Sequence, residues 1–175
     1  MGRLGDRHPN RFFFQIKKDS FPFHFKCKAI MIKYIQIEGW GFELMLRMEH
    51  FQVGEARLAL EAVVVQTMDG LNIYLGGGEK THIGTVVLCQ LRPSLKNDGS
   101  YSTTSSILNL VCHKDDGIAK PLAEKLCLAF KQTVVVTAGV HIDSATPREI
   151  EYLLQLSAEL SNRIIDHLIK QEPQQ

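Results

Sequence analysis

The segment Ser105-Ser106-Ile107-Leu108-Asn109-Leu110-Val111-Cys112-His113-Lys114-Asp115-Asp116-Gly117 is where the chain changes character. Upstream of it the pattern is one strand after another; downstream, helix and strand alternate. Its first seven residues read as a strand. Ile118, Leu122, Leu126 and Phe130 then recur at four-residue steps, the stripe of an amphipathic helix over 116–130. A strand-to-helix junction exposes unpaired N–H groups and the positive end of a helix dipole, which suits an anion. An imidazole, an ammonium and two carboxylates in four residues exceed what a turn needs, although Asp is also an ordinary N-cap.

Working downstream, Pro121 lies near the limit of where a helix tolerates a missing N–H, so the start is expected to slip by a residue or two. Thr133-Val134-Val135-Val136-Thr137-Ala138-Gly139-Val140-His141-Ile142-Asp143 reads as a strand. Thr146-Pro147-Arg148-Glu149 is a full helix start, with Thr as N-cap, Pro at N1 and Glu closing a capping box. Ile150, Leu153, Leu154, Leu160, Ile164 and Leu168 carry that helix toward Glu172-Pro173.

Upstream, Ile32–Ile37 is a short β-like run, and Phe42, Leu44, Leu46 and Met48 alternate with polar or flexible residues. Arg57–Met68 is a further strand candidate. Asp69-Gly70 before Leu71–Leu75 signals a type I′ hairpin. Gly76-Gly77-Gly78-Glu79-Lys80-Thr81 reads as a loop, His82–Leu91 as a strand and Arg92–Thr103 as a longer loop. The order predicts an α+β domain with a largely antiparallel sheet of six to seven strands. A strand-helix-strand-helix unit follows, its helices packed on the sheet.

Register arithmetic then places side chains. If the loop centred near 97–98 joins an antiparallel pair, His82 and His113 face each other, roughly 5 Å apart at Cα. The helix from 116 carries the chain away and strand 133–143 returns it, bringing His141 and Asp143 to the same end. The glycine run and both helix N-termini open there too.

Composition bounds the rest. The 175 residues suffice for one domain with a real core, and 45% hydrophobic with 22% charged residues is ordinary for a globular protein. The net +1 hides a basic N-terminus: residues 1–30 carry seven Lys/Arg against Asp6 and Asp19, a local +5, leaving the remainder near −4. That distribution is no nucleic-acid footprint. Residues 1–30 interleave six Phe with Lys, Pro and His without a period. They read as a disordered extension rather than a membrane- or partner-binding arm, with Met31 an expected true start. The aromatic run Phe12-Phe13-Phe14 is too short for a signal-peptide core, and no stretch is long and apolar enough to span a membrane. Four cysteines without CxxC or zinc-finger spacing point to reduced thiols in the cytoplasm.

Each motif has a plain alternative. The glycine run lacks the GxxxxGK[ST] pattern and reads more simply as a turn. His82 suits a strand start, Thr103-Thr104-Ser105-Ser106 a hydroxyl-rich edge, and His141 with Asp143 a strand end. The His/Asp grouping could hold a metal, but has no HxH or HxxxH spacing, so a metal stays open. Nucleophilic catalysis has no GxSxG elbow.

Taken together, Gly77-Gly78-Glu79-Lys80-Thr81-His82-Ile83-Gly84-Thr85-Val86, Arg92-Pro93-Ser94-Leu95, Thr104-Ser105-Ser106, His113-Lys114-Asp115-Asp116 and Val134–Asp143 resemble the prenylated-flavin chaperone family. This is the LpdD-like D subunit associated with gallate-type decarboxylases. The resemblance spans about residues 41–168, so 31–175 is expected to be a single LpdD-like domain. It implies a fold similar to proteasome-assembly-chaperone-like domains. It also implies a non-catalytic, homodimeric carrier of prenylated FMN, or FMN, that loads an apo-decarboxylase of the UbiD type. His82, Gly84, Ser105, Ser106, His113, Lys114, Asp115 and His141 become the expected cofactor-binding residues, with Lys114, His113 and the helix start near 116 meeting the phosphate. Where the family pattern has a glycine before His-Lys-Asp-Asp, this chain has Cys112. Two alternatives stand beside this reading: a protein-assembly chaperone without cofactor, and a metal-dependent lyase using His82, His113 and His141.

Overall fold

A computed structural model describes residues 47–171. Strands β1 (Arg47–Val53) and β2 (Leu60–Gln66) are joined through a short 3-10 turn at Ala56–Leu58. Strands β3 (Gly70–Gly78), β4 (Lys80–Pro93) and β5 (Tyr101–Asn109) follow, then helix α1 (Asp116–Phe130), strand β6 (Thr133–His141) and helix α2 (Pro147–Gln171). Among the described residues the expected α+β architecture is present as one six-stranded sheet in the order β1-β2-β3-β6-β4-β5. Only β3 and β6 run parallel; every other pairing is antiparallel.

Period-two burial explains the layering. Leu60, Ala62 and Val64 of β2, Ile73 and Leu75 of β3, Val87 and Cys89 of β4, and Val134, Val136 and Ala138 of β6 all point to one buried face. Strand side chains alternate between faces, so these residues share a side. Against them α1 sets Leu122 and Leu126, and α2 sets Leu153, Leu160, Ile164 and Leu168. Helix α1 lies over β4, β6 and β5, and α2 over β1 and β2. No helix among the described residues is long and apolar enough to cross a membrane.

Several local expectations change. The run at Ile32–Ile37 and the arm 1–30 lie outside the described residues. The strand expected to end near Glu49 continues to Val53. The hairpin at Asp69-Gly70 forms, but Met68, Asp69 and Gly70 all keep negative φ, so it is not a type I′ turn. Thr67 closes it instead, its N–H donating to Gly70 O at 2.9 Å and its hydroxyl contacting Asp69 Oδ1 at 3.1 Å.

Gly76, Gly77 and Gly78 are strand, not loop. A Cβ on Gly77 would lie 2.4 Å from Ala59 O, and one on Gly78, at φ 74°, 2.2 Å from His141 O. Backbone from two directions crowds this edge, which only glycine fits. Glu79 alone connects β3 to β4, yet β6 inserts between them: His141 pairs with Gly78 on one side and Lys80 on the other. The β4–β5 loop is shorter than expected because the ladder runs on to Pro93 and Tyr101. Helix α1 starts at Asp116 despite Pro121, which is exposed on its outer side.

Candidate functional site

The β4–β6 ladder is irregular at one place. Thr81 pairs with Val140 and Thr85 with Ala138, so His82, Ile83 and Gly84 bulge out of register. Bulges re-aim side chains, and this one turns the His82 imidazole toward the β5–α1 junction. Gly139 makes the bulge feasible, since a Cβ there would lie 2.0 Å from His82 O. Tyr74 pins it by donating its hydroxyl to the same carbonyl at 3.1 Å.

Strand β5 ends at Asn109, and Leu110 returns a hydrogen bond from its N–H to Gly84 O at 2.9 Å. The chain then turns through Cys112 at φ 68°, a left-handed conformation that a non-glycine residue adopts at a cost. This is the position where the sequence resemblance led to an expectation of glycine, and the positive φ here is one that glycine would adopt freely. The turn delivers His113 against His82, with His82 Nε2 and His113 Nδ1 3.0 Å apart.

Asp115 completes the group. Its side chain is only 8% exposed, against 24% for His82 and 35% for His113, so it forms the floor beneath two partly open imidazoles. Oδ1 accepts the Val140 N–H at 2.9 Å. Oδ2 stands 3.5 Å from His82 Nε2 and 3.4 Å from His113 Nδ1. Asp115 occupies the N-cap position of α1, but its side chain makes no capping bond. Gly84 leaves room for the carboxylate: a Cβ there would sit 1.9 Å from Asp115 Oδ2.

Around this trio a second layer holds the strand ends. Thr85, fully buried, donates to Asn109 Oδ1 at 2.5 Å, and Asn109 Nδ2 donates to Asp116 Oδ1 at 3.0 Å. His141 lies beside His82 with ring centroids 6.2 Å apart, and its Nε2 meets Asp143 Oδ1 at 2.8 Å. That contact, with Lys80 behind it, holds the Asp143 carboxyl below its usual range. Glu79 accepts the Asp143 N–H at 2.7 Å and lies 3.6 Å from Arg57, which also binds Glu149 at the start of α2.

The structure therefore brings His82, Gly84, His113 and Asp115 together and sets His141 beside them. Lys114 is exposed at the junction and makes no ion pair among the described residues. Ser105 and Ser106 are not brought in. They are mid-strand on β5, and Ser105 faces α1, donating to Glu124 Oε1 at 3.0 Å. As the adjacent residue, Ser106 points to the opposite face. Tyr74, Glu79, Arg57, Asn109 and Gly139 escaped the sequence reading. Gly139 carried a usable signal, a glycine inside a strand that marks close backbone approach. Tyr74 carried none, because its contact depends on the bulge.

The helix start that the sequence offered to a phosphate is already engaged. Gly117 and Ile118 donate their N–H groups to Lys114 O and Asp115 O, and the Asp116 carboxylate is at the same end. Among cofactor groups, the trio suits a polar heterocycle edge or a metal ion better than a dianion. Ile83 on the bulge and Leu110 and Val111 at the junction, all exposed, add apolar surface.

No curated protein matches the sequence. A solved chain from a chaperone complex for yeast 20S proteasome assembly is similar at 14% identity and TM-score 0.47, covering 73% of this chain and 98% of that one. The family described as prenylated flavin chaperone LpdD-like domain matches residues 54–169, from just after β1 to nearly the end of α2. That span is well over half of the 175 residues and contains every member of the histidine–aspartate cluster, so the chain belongs to the LpdD-like prenylated flavin chaperone family.

Proposed function

We propose that this protein is a non-catalytic carrier that binds prenylated FMN, or FMN, and assists loading of an apo-decarboxylase of the UbiD type. The observation that carries the reading is the His82–His113–Asp115 cluster opening to solvent beside exposed Ile83 on the bulge and Leu110 and Val111 at the junction. A flavin presents a hydrogen-bonding pyrimidine edge and a large apolar ring face. Imidazoles that donate or accept suit the first, and the exposed aliphatic side chains suit the second. Lys114, without an ion-pair partner among the described residues, is the cation for the phosphate. His141 and Gly84 complete the cofactor end, and Ser105 and Ser106, held mid-strand on β5, take no part in it. When bound, the cofactor's chemistry would be used by the client enzyme, and the carrier's residues would hold and release it.

The proposal includes a homodimer. The sheet face away from the helices carries Val63, Val65, Val86, Leu88 and Val135, half-buried, with Leu108 exposed. Such a face gains by being covered by a second copy. A solution mass of twice the 19.8-kDa chain supports the dimer, and a single-chain mass contradicts it.

The carrier reading is tested by reconstitution of an apo-decarboxylase with prenylated FMN and either wild-type or His113→Ala protein. Wild type should raise activity and His113→Ala should lose most of that gain. Equal help from both, with no flavin on the wild type, would instead identify a protein-only assembly chaperone.

A further inference from the structure

The three atoms at the heart of the cluster form a triangle of edges 3.0, 3.4 and 3.5 Å, from His82 Nε2 to His113 Nδ1 and from each nitrogen to Asp115 Oδ2. Bonds of about 2.0–2.1 Å at a tetrahedral angle place neighbouring ligand atoms about 3.3–3.4 Å apart. The side chains alone therefore lie close to one face of a tetrahedral metal site. We propose that His82, His113 and Asp115 bind a divalent transition-metal ion of the zinc type, with its fourth position open.

Four features support this beyond the distances. The donor set of two imidazoles and one carboxylate is borderline in softness, which favours zinc-like ions over calcium or magnesium. The carboxylate is oriented by the Val140 N–H on Oδ1, leaving Oδ2 for the shared point. A main-chain bond of this kind is how metal ligands are commonly fixed. The space is made by Gly84 and Gly139, neither of which could carry a Cβ without striking Asp115 or His82. Exposure is graded, from the buried Asp115 floor to the half-open imidazoles, so the open position lies on the solvent side.

Without metal, one imidazole N–H serves the other ring's lone pair across the 3.0 Å gap. Binding needs both lone pairs, so that proton moves to the far nitrogen of its own ring. No net proton is released if both rings begin neutral. His141 is engaged with Asp143 and stands outside the triangle.

The proposal is independent of the flavin reading, because the test uses flavin-free protein and metal alone. Full-length chain, stripped with a chelator, is titrated with Zn²⁺ by calorimetry and with Co²⁺ by visible absorption. The expected result is saturation at one ion per chain, with the intense cobalt bands of a four-coordinate site. His113→Gln and Asp115→Asn should each weaken Zn²⁺ binding by more than about 100-fold, since even loss of a supporting bond costs about 10–100-fold. Asp115→Asn keeps an oxygen for the Val140 N–H, so the fold is retained. His50→Ala, which removes a separate surface His–Glu pair, should leave the affinity unchanged. Failure to saturate at one ion per chain would overturn the proposal. So would six-coordinate cobalt absorption, or affinity that survives both His113→Gln and Asp115→Asn.

Discussion

Two helices begin at the same end of this sheet, and they begin differently. Helix α2 has a complete reciprocal cap: Thr146 donates its N–H and hydroxyl to Glu149 Oε2 at 2.8 and 2.9 Å, and Glu149 N–H returns to Thr146 Oγ1 at 3.3 Å. Helix α1 has a residue of the capping type at its N-cap, but Asp115 turns its carboxylate away to Val140, His82 and His113. One start spends its polar side chains on the helix; the other leaves its own helix uncapped and builds a site. A cap residue that does not cap points to function, because the stability it forgoes, typically about 1 kcal/mol, requires another use.

The contrast can be broken from either side. The largest effect is expected for Asp115→Ala. It leaves the Val140 N–H without its acceptor, costing about 1–3 kcal/mol in denaturant melts, and removes the floor between the imidazoles. Bound flavin should be lost as well. Gly84→Ala comes next. Its Cβ would lie 1.9 Å from Asp115 Oδ2, so the carboxylate must move. Flavin retention should fall far more than stability does.

Thr146→Ala is the complementary test, expected to cost about 1 kcal/mol of stability while flavin retention stays at the wild-type level. The same cap has a pH signature. Thr146 backbone and side-chain hydrogen bonds, then Arg57, lower the Glu149 pKa from 4.5. A lowered carboxylate stabilises the folded state above the unfolded value and loses that contribution as pH falls through the folded one. Glu149→Gln should therefore lower stability near neutrality, and its difference from wild type should shrink as pH falls below about 4.5, flattening the acid side of the stability–pH curve. The smallest effect is Cys112→Gly, which relieves the φ of 68° but loosens the unfolded chain. A net gain of up to about 1 kcal/mol is expected, with flavin retention preserved.

What the sequence could reveal depended on whether an interaction was local. The α2 cap was fully legible, because every partner lies within four residues. The His82–His113 pairing followed from hairpin arithmetic, although the register is one residue off: Thr85 pairs with Asn109, not Leu110. The imidazoles still meet because the chain turns at Cys112 instead of continuing as strand. The site's floor was harder to foresee. Asp115 was named, but its approach to Val140 requires β6 to lie between β3 and β4, which no adjacent pattern announces. The glycine run misled for the same reason, since the backbones that demand glycine, Ala59 and His141, come from elsewhere in the chain. Ser105 and Ser106 were grouped by sequence although strand alternation sends them to opposite faces.

The central claim is that the open end built around Asp115 holds a prenylated flavin. Its most direct test is to co-express the full chain with a flavin prenyltransferase, purify it and record its absorption spectrum. The account predicts a co-purifying flavin band in the wild type that is lost in Asp115→Ala and retained in Thr146→Ala. A colourless wild-type protein that also fails to raise apo-decarboxylase activity would contradict it.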